Sequence, residues 1–467
     1  MLIVLSLQSL RRGTGHIELP GGLRTVLSEK KESKTGFMQL VLGPVFMLNA
    51  GIFFFQALTK SLYAPLLIPF REAYLIDNAQ AGLLVTLAFF GYALTRYPSG
   101  VLADLIGCTK TVLIGSAAMA ISFIGVAFAP SYPLLALATF ILGVSSGIYV
   151  TAGYTLAVMI GSRERATTAT AAFETFGIFA SIISPALVTI FVIYLSWQLL
   201  FALCGFMLAL ATLFFFRNRG LAERFETEYA LTNKIQTAGA NKSNGSHKNR
   251  KSKLTRFFSN IKASSFIFRD PRIRRFLIWS TLVGGFGALS LTGINSFIPT
   301  FLVEERDYSF ELANRLYMIV PVAGLTTKIA IGLLADRFGS KRVMFVNLTL
   351  LIFFYIALTL AREHWHLIVL LALVGAASLN TNTLINAYVL RSMPPQYQGA
   401  GFGLFSTAYT VIYSFGPFIT GLMSGLTGLE KAMQFSVFGA ASAVILILSA
   451  GYFIPRPGLV RKSSAKE

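Results

Sequence analysis

The sequence predicts an all-α membrane protein of twelve transmembrane helices, arranged as two pseudo-symmetric six-helix bundles. Three observations predict it. Apolar runs of about 20 residues recur from Leu40 to Ile454, each long enough to cross a hydrocarbon core of roughly 30 Å. The 467 residues are 54% hydrophobic and only 13% charged, too apolar a balance for a soluble chain of this size. The halves also repeat. Gly100 and Gly332, Asp104 and Asp336, and Arg96 and Lys328 are each 232 residues apart. These belong to one motif and share an offset trivially, but Pro185 and Pro417 lie well beyond it and hold the same 232.

The runs are continuous and do not alternate in ~10-residue pieces, so they read as helices and not as barrel strands. Residues 1–38 begin with a short apolar run lacking a small-residue cleavage site before Arg11-Arg12, and read as a cytoplasmic tail. The N-terminal bundle occupies 39–216. Its span 1 (40–68) carries Lys60. Span 2 (79–99) opens at Gln80-Ala81-Gly82 and runs into "TRYPSGVLAD". Spans 3 (110–129) and 4 (133–160) follow, and span 5 (168–193) holds Glu174. Span 6 (197–216) starts at Trp197, as an interfacial aromatic belt places it. Residues 217–275 include "NKSNGSHKNRKSK" and read as a mostly disordered basic linker, joining the halves or contacting anionic lipid. The C-terminal bundle occupies 276–455, with spans 7 (276–301), 8 (313–334), 9 (343–361), 10 (366–390), 11 (399–424) and 12 (433–454); 456–467 form a second tail.

The net charge of +20 does not imply a nucleic-acid partner, because its placement is polarised. Only Arg71, Arg306, Arg315, Arg362 and Lys431 fall at one set of helix ends, and only Lys60, Arg96 and Lys328 inside helices; every other Lys and Arg lies in the tails, the linker and the alternate loops. This positive-inside pattern predicts a multi-pass cell-membrane protein with both termini cytoplasmic. The four His lie in tails or loops, and Cys108 and Cys204 are too few and too separated for a metal set. No cofactor is expected.

Three cations inside apolar helices are the chemistry-bearing feature. Arg96 and Lys328 each precede an aspartate by eight residues, which places them about 12 Å deeper along a helix, near the middle of the bilayer. A charge there costs at least ~2.5–3.5 kcal/mol, so each should face a polar cavity or a partner. Glu174 is the carboxylate placed inside a helix; it either pairs with Arg96 or Lys60, or takes up a coupling proton or ion. Even one such pair leaves two cations in surplus, which predicts an anionic small-molecule substrate. Duplication would bring Arg96 and Lys328 face to face across one cavity with Lys60 nearby. Gln56, Tyr154, Asn295, Asn380, Asn382 and Asn386 are polar residues in spans; they line that cavity or serve as interhelical glue. The binding set is therefore Lys60, Arg96, Lys328, Tyr154, Asn295 and Asn382.

The loops after spans 2 and 8 resemble the repeated motif of the major facilitator superfamily, roughly G-x-L-A-D-R-x-G-R-K. "GLLADRFGSKR" matches it at Gly332, Asp336, Arg337, Gly339, Lys341 and Arg342. "GVLADLIGCTK" keeps Gly100, Asp104, Gly107 and Lys110, with Leu105 and Cys108 where the motif prefers arginine. The resemblance covers about residues 40–455. It implies a monomeric secondary transporter whose halves rock about a central site, with Gly100, Asp104, Gly107, Gly332, Asp336, Arg337 and Gly339 in a gating role. The glycines would permit close helix approach. Thr139 stands where many members have an arginine, and Ser184-Pro185 replaces the Gly-Pro that survives at Gly416-Pro417. Lys60 is similar in placement to a helix-1 arginine of organic-anion and sugar-phosphate permeases. Arg96 is similar to an arginine of nitrate permeases, whose glycine-rich signatures are missing here. Lys328 is similar to a helix-8 arginine of monocarboxylate and oxalate carriers.

The function expected is secondary transport of a small organic or inorganic anion. The alternatives are transport of neutral or lipophilic compounds, and a non-transporting membrane receptor on the same fold. An enzyme is not expected: no Walker-type G-x-x-x-x-G-K-[ST] or H-E-x-x-H occurs.

Overall fold

The computed structural model describes residues 43–161, 166–241, 270–393 and 398–449. The tails at 1–38 and 456–467 lie outside them, as does most of "NKSNGSHKNRKSK". Sixteen helices are described. Span 1 is α1 (Pro44–Ser61) with α2 (Tyr63–Tyr74); spans 2 to 6 are α3 (Asn78–Ile106), α4 (Cys108–Ala127), α5 (Tyr132–Gly161), α6 (Ala166–Tyr194) and α7 (Trp197–Arg217). A linker helix, α8 (Arg219–Asn241), follows. Span 7 is α9 (Pro271–Glu304), and span 8 is α10 (Phe310–Tyr317) with α11 (Ile319–Phe338). Spans 9 and 10 are α12 (Ser340–Leu360) and α13 (His364–Ser392), span 11 is α14 (Gln398–Ser414) with α15 (Gly416–Thr427), and span 12 is α16 (Leu429–Leu448). Among the described residues eleven helices are long and apolar enough to cross a membrane, and the pair α1–α2 makes a twelfth if it is one bent span.

Local chemistry sets the ends of these helices. Asp77 and Gln80 form a capping box at the start of span 2: the Asp77 carboxylate accepts from Gln80 N–H at 2.7 Å, and Gln80 Oε1 from Asp77 N–H at 3.2 Å. Asp270 caps span 7 ahead of Pro271, so that helix starts five residues before the expected 276. Gly107 ends span 2 and opens span 3 at φ +99°; Gly339 does the same between spans 8 and 9 at φ +88°. A side chain is strained at such φ, so both repeats need glycine there.

The chain departs from the expected elements in two places. Span 1 bends by 52° between Ser61 and Tyr63 and runs on to Tyr74, beyond the expected 68. Pro65 has no N–H to give the Ser61 carbonyl, which breaks the ladder there; the Ser184 hydroxyl of span 5 donates to that carbonyl instead, at 3.2 Å. The linker is not wholly without structure, since α8 occupies its first part. Ala222 is fully buried and Glu226 is bonded to the start of span 3, contacts that a charge-rich composition does not announce.

The two halves are packed alike. Span 2 packs on 4, 3 on 4 and 6, and 1 on 5; correspondingly, span 8 packs on 10, 9 on 10 and 12, and 7 on 11. Large apolar side chains such as Ile121, Phe206, Ile329 and Phe353 point outwards and are exposed, as a lipid-facing surface requires and a water-facing one rarely tolerates. Between the halves, span 2 meets span 11. Gly82 lies against the Pro417 carbonyl and Gly421 against that of Asn78, close approaches a Cβ would obstruct. Phe418 N–H donates to Thr86 Oγ1 at 3.1 Å, and Arg71 of span 1 pairs with Glu304 of span 7. These contacts lie towards the end of the molecule opposite the two motif loops.

Candidate functional site

A cavity of about 470 Å³ lies between the halves, walled by spans 1, 2, 4 and 5 on one side and 7, 8, 10 and 11 on the other. That volume is in the range of small-molecule pockets. Of the expected binding residues Lys60, Tyr154, Asn295, Lys328 and Asn382 line it, and Glu174 does too.

Lys60 sits in the last turn of α1, just before the break. A helix C-terminus carries partial negative charge, which favours a cation. Its Nζ stands 4.0 Å from the centroid of the Tyr92 ring, and no carboxylate pairs with it among the described residues. Arg96 approaches the same ring, with Cζ 5.7 Å from its centroid, so one phenol contributes a cation–π contact to both cations. Arg96 is not part of the cavity wall; it is within electrostatic reach of the tyrosines at 92, 154, 409 and 413. The expectation that Arg96 and Lys328 face each other across the cavity is corrected here: Lys60 and Lys328 are the cations of the wall, and Arg96, beside Tyr92, is not part of it.

Glu174 is also corrected. Its partner is neither Arg96 nor Lys60. Glu174 Oε2 accepts from Lys328 Nζ at 2.9 Å, joining span 5 of one half to span 8 of the other. Its other oxygen accepts from the Tyr154 hydroxyl at 3.4 Å, and Tyr154 is held edge-on by Phe53 and Phe173. The side chains of Lys328 and Glu174 remain 35% and 37% exposed, so the pair is open to whatever fills the cavity.

The polar residues divide between lining and glue. Asn382 Oδ1 and Ser378 Oγ are buried without a hydrogen-bond partner and belong to residues of the wall, four residues apart on span 10; buried polar atoms are nearly always bonded, so both call for a partner. Asn295 is on the wall and accepts from the Tyr355 hydroxyl at 3.1 Å. Gln56 is on the wall but gives its amide to Ser146 at 2.9 Å. Asn380 is spent on Thr327 and the Ala376 carbonyl, and Asn386 is not part of the wall.

Asp336 pairs with Arg391 of span 10 at 2.7 Å, not with a cation of its own motif, and both side chains are about 60% exposed. Arg337 lies over the Phe338 ring. Asp104 is exposed and forms no ion pair among the described residues. The close approach expected at the motif glycines is made at Gly107 alone, where Glu226 would stand 2.9 Å from a Cβ; nothing lies within 4 Å of where a Gly332 or Gly339 Cβ would stand, and Gly100 meets only the Thr151 methyl, at 3.5 Å. At the first copy a carboxylate from outside the motif serves the next helix. Glu226 of α8 accepts from the N–H of Cys108 at 2.9 Å and from the hydroxyl of Thr109 at 3.1 Å.

Sequence reasoning missed Tyr92, Ser378, Glu226 and the Arg71–Glu304 pair. Aromatic and hydroxyl residues are common in spans, and nothing local singles out one of them. Ser378 and Asn382, at helical spacing on span 10, were the one signal available.

The family model described as Major Facilitator Superfamily matches residues 50–417 and 316–467. The probable sulfoacetate transporter SauU of Cupriavidus necator is 24% identical over 434 residues, 89% of this chain and 93% of the relative. The crystal structure of a bacterial homologue of the human lysosomal transporter Spinster superposes with a TM-score of 0.68 at 15% identity, over 90% of this chain and 98% of that one. That of a variant of the nucleoside transporter NupG gives 0.67 at 15% identity, over 88% and 100%. The twelve-span architecture, the repeated loops and the match along most of the chain together make this protein a multi-pass membrane member of the Major Facilitator Superfamily, and a secondary transporter.

Proposed function

We propose that the transporter moves a small organic anion by alternating access, with Lys60 and Lys328 as the cations that meet it. The observation that carries this reading is the charge balance of the site. Three cations, Lys60, Arg96 and Lys328, are set against one carboxylate, Glu174, and Lys60 reaches the cavity with no carboxylate paired to it among the described residues. An unpaired cation in a mostly apolar wall is costly unless a ligand completes it. Tyr154, Asn295, Asn382 and Ser378 supply hydrogen bonds to orient the ligand, and the sulfoacetate named for the relative is an anion of the expected kind. Asp336 with Arg391, together with the glycine-hinged loops at Gly107 and Gly339, would brace the motif end as the halves rock.

Uptake into proteoliposomes of sulfoacetate, small carboxylates and small sulfonates tests it. Wild-type protein should move at least one of them. Lys60→Gln should weaken its apparent affinity about tenfold or more, the loss of one charge-assisted contact of roughly 1.5–3 kcal/mol. Movement of neutral solutes only, unchanged by Lys60→Gln, would sink the anion reading in favour of the neutral one. The same proposal puts both tails and the linker in the cytoplasm. In a background without native cysteines, Ser309→Cys should label from outside the cell and Ser252→Cys should not; the reverse pattern overturns the orientation.

A further inference from the structure

Glu174 makes with Lys328 the contact that a substrate carboxylate would make: one oxygen on one ammonium, at 2.9 Å, inside the cavity wall. Resting on the anion reading above, we infer that Glu174 is a resident stand-in for a substrate acid group, and that the site selects acids with two anionic heads, the second head displacing Glu174 from Lys328.

The charges count this way. Lys60, Arg96 and Lys328 less Glu174 leave two positive charges around the cavity. A dianion cancels them and a monoanion leaves one uncompensated. The partition between halves counts the same way. Lys60 belongs to the N-terminal half and Lys328 to the C-terminal half, and at this depth Glu174 is the group that ties them. A one-headed acid meets the unpaired Lys60 and has no reason to open the Glu174–Lys328 pair. A two-headed acid held at Lys60 presents its second head at high effective concentration to Lys328, and then itself ties the halves.

The exchange is feasible because the pair is neither sealed nor single-partnered. Both side chains belong to the cavity wall and are more than a third exposed, so a ligand head can reach the ammonium without a covering group having to move. Once displaced, Glu174 keeps the Tyr154 hydroxyl on its other oxygen, so the carboxylate is not orphaned. The consequence is counter-intuitive: removing the negative charge at position 174 frees a cation, and a two-headed acid binds more tightly for it.

The test is equilibrium binding to the purified full-length transporter in lipid nanodiscs. Malonate, succinate and sulfoacetate are the two-headed probes; acetate and methanesulfonate are the one-headed ones. Wild-type protein should prefer two heads to one by about tenfold, the equilibrium equivalent of ~1.4 kcal/mol. Glu174→Gln should tighten the two-headed probes several-fold. Lys328→Gln should bring two-headed and one-headed probes towards equal affinity. Glu174→Asp, which retracts the carboxylate by one methylene, should tighten them by less than Glu174→Gln, and it keeps the test open if the glutamine variant does not fold. Weaker or unchanged binding of two-headed acids in folded Glu174→Gln or Glu174→Asp overturns the inference, as does equal affinity for one and two heads in the wild type. Failure of every probe to bind wild-type protein is a different result, and overturns the anion reading itself.

Discussion

At the scale of single residues, the membrane-embedded polar groups are explained by what proline and charge leave unsatisfied. Pro65 frees the Ser61 carbonyl, and Ser184 takes it. Pro417 likewise cannot donate to the Tyr413 carbonyl, and Thr292 of span 7 does so at 2.7 Å. Ser61, Ser184, Thr292 and Tyr413 all belong to the cavity wall, so the two repairs also shape the site. In sequence Ser184 reads only as a lapse from the Gly-Pro pattern. Its hydroxyl has a structural duty that glycine could not perform. Ser184→Ala should leave a buried carbonyl without its donor, at a cost of about 1–3 kcal/mol. A lowered unfolding temperature in detergent, with the fold kept, is the expected measurement; an unchanged one would show that the carbonyl finds another donor.

At the scale of elements, the linker helix α8 departs most from expectation. The charge-rich composition of 217–275 argues against order, yet α8 packs against spans 3 and 4 of the N-terminal half. The reason is electrostatic and local. The first N–H groups of span 3 have no helical partner, the helix dipole makes that end positive, and Glu226 supplies a carboxylate to Cys108 and Thr109. With Leu105 and Cys108 where the motif prefers arginine, the cap at this helix start comes from Glu226. Glu226→Gln should weaken the cap by about 0.5–2 kcal/mol. Hydrogen exchange in 219–231 and alkylation of the buried Cys108 should both rise. If neither changes, the carboxylate is not what holds α8 in place.

At the scale of the whole molecule, the two halves are joined by ion pairs at two depths among the described residues: Arg71–Glu304 near the end opposite the motif loops, and Glu174–Lys328 in the cavity. Arg71–Glu304 must part if that end is to open. Each partner is roughly a third exposed, so the pair is worth ~0.2–1 kcal/mol and, on the alternating-access proposal, would bias the equilibrium between access states a few-fold at most. Arg71→Glu should therefore slow transport modestly, and Glu304→Arg in the same chain should recover most of the rate. A reversed pair no faster than either single variant would show that these charges do not act together.

The sequence by itself determined the twelve spans, their repeat and the presence of buried charge, because each follows from a local rule. A run of about 20 apolar residues is long enough to cross a bilayer as a helix. A residue offset needs no coordinates. A cation in such a run is costly wherever its helix packs. Lys60 and Lys328 were legible as cavity-facing on those grounds, whereas Tyr154, Asn295 and Asn382 read equally as lining or as interhelical glue. Which charge meets which was decided by tertiary structure alone. Glu174 lies 78 residues from Arg96 and 154 from Lys328 along the chain, and sequence favours a partner in its own half. Packing set Arg96 beside Tyr92 and span 5 against span 8. The physical reason is that hydropathy fixes how far along its helix a residue sits, while the face it presents, and the neighbour it finds there, depends on how the helices rotate against one another when the two halves pack.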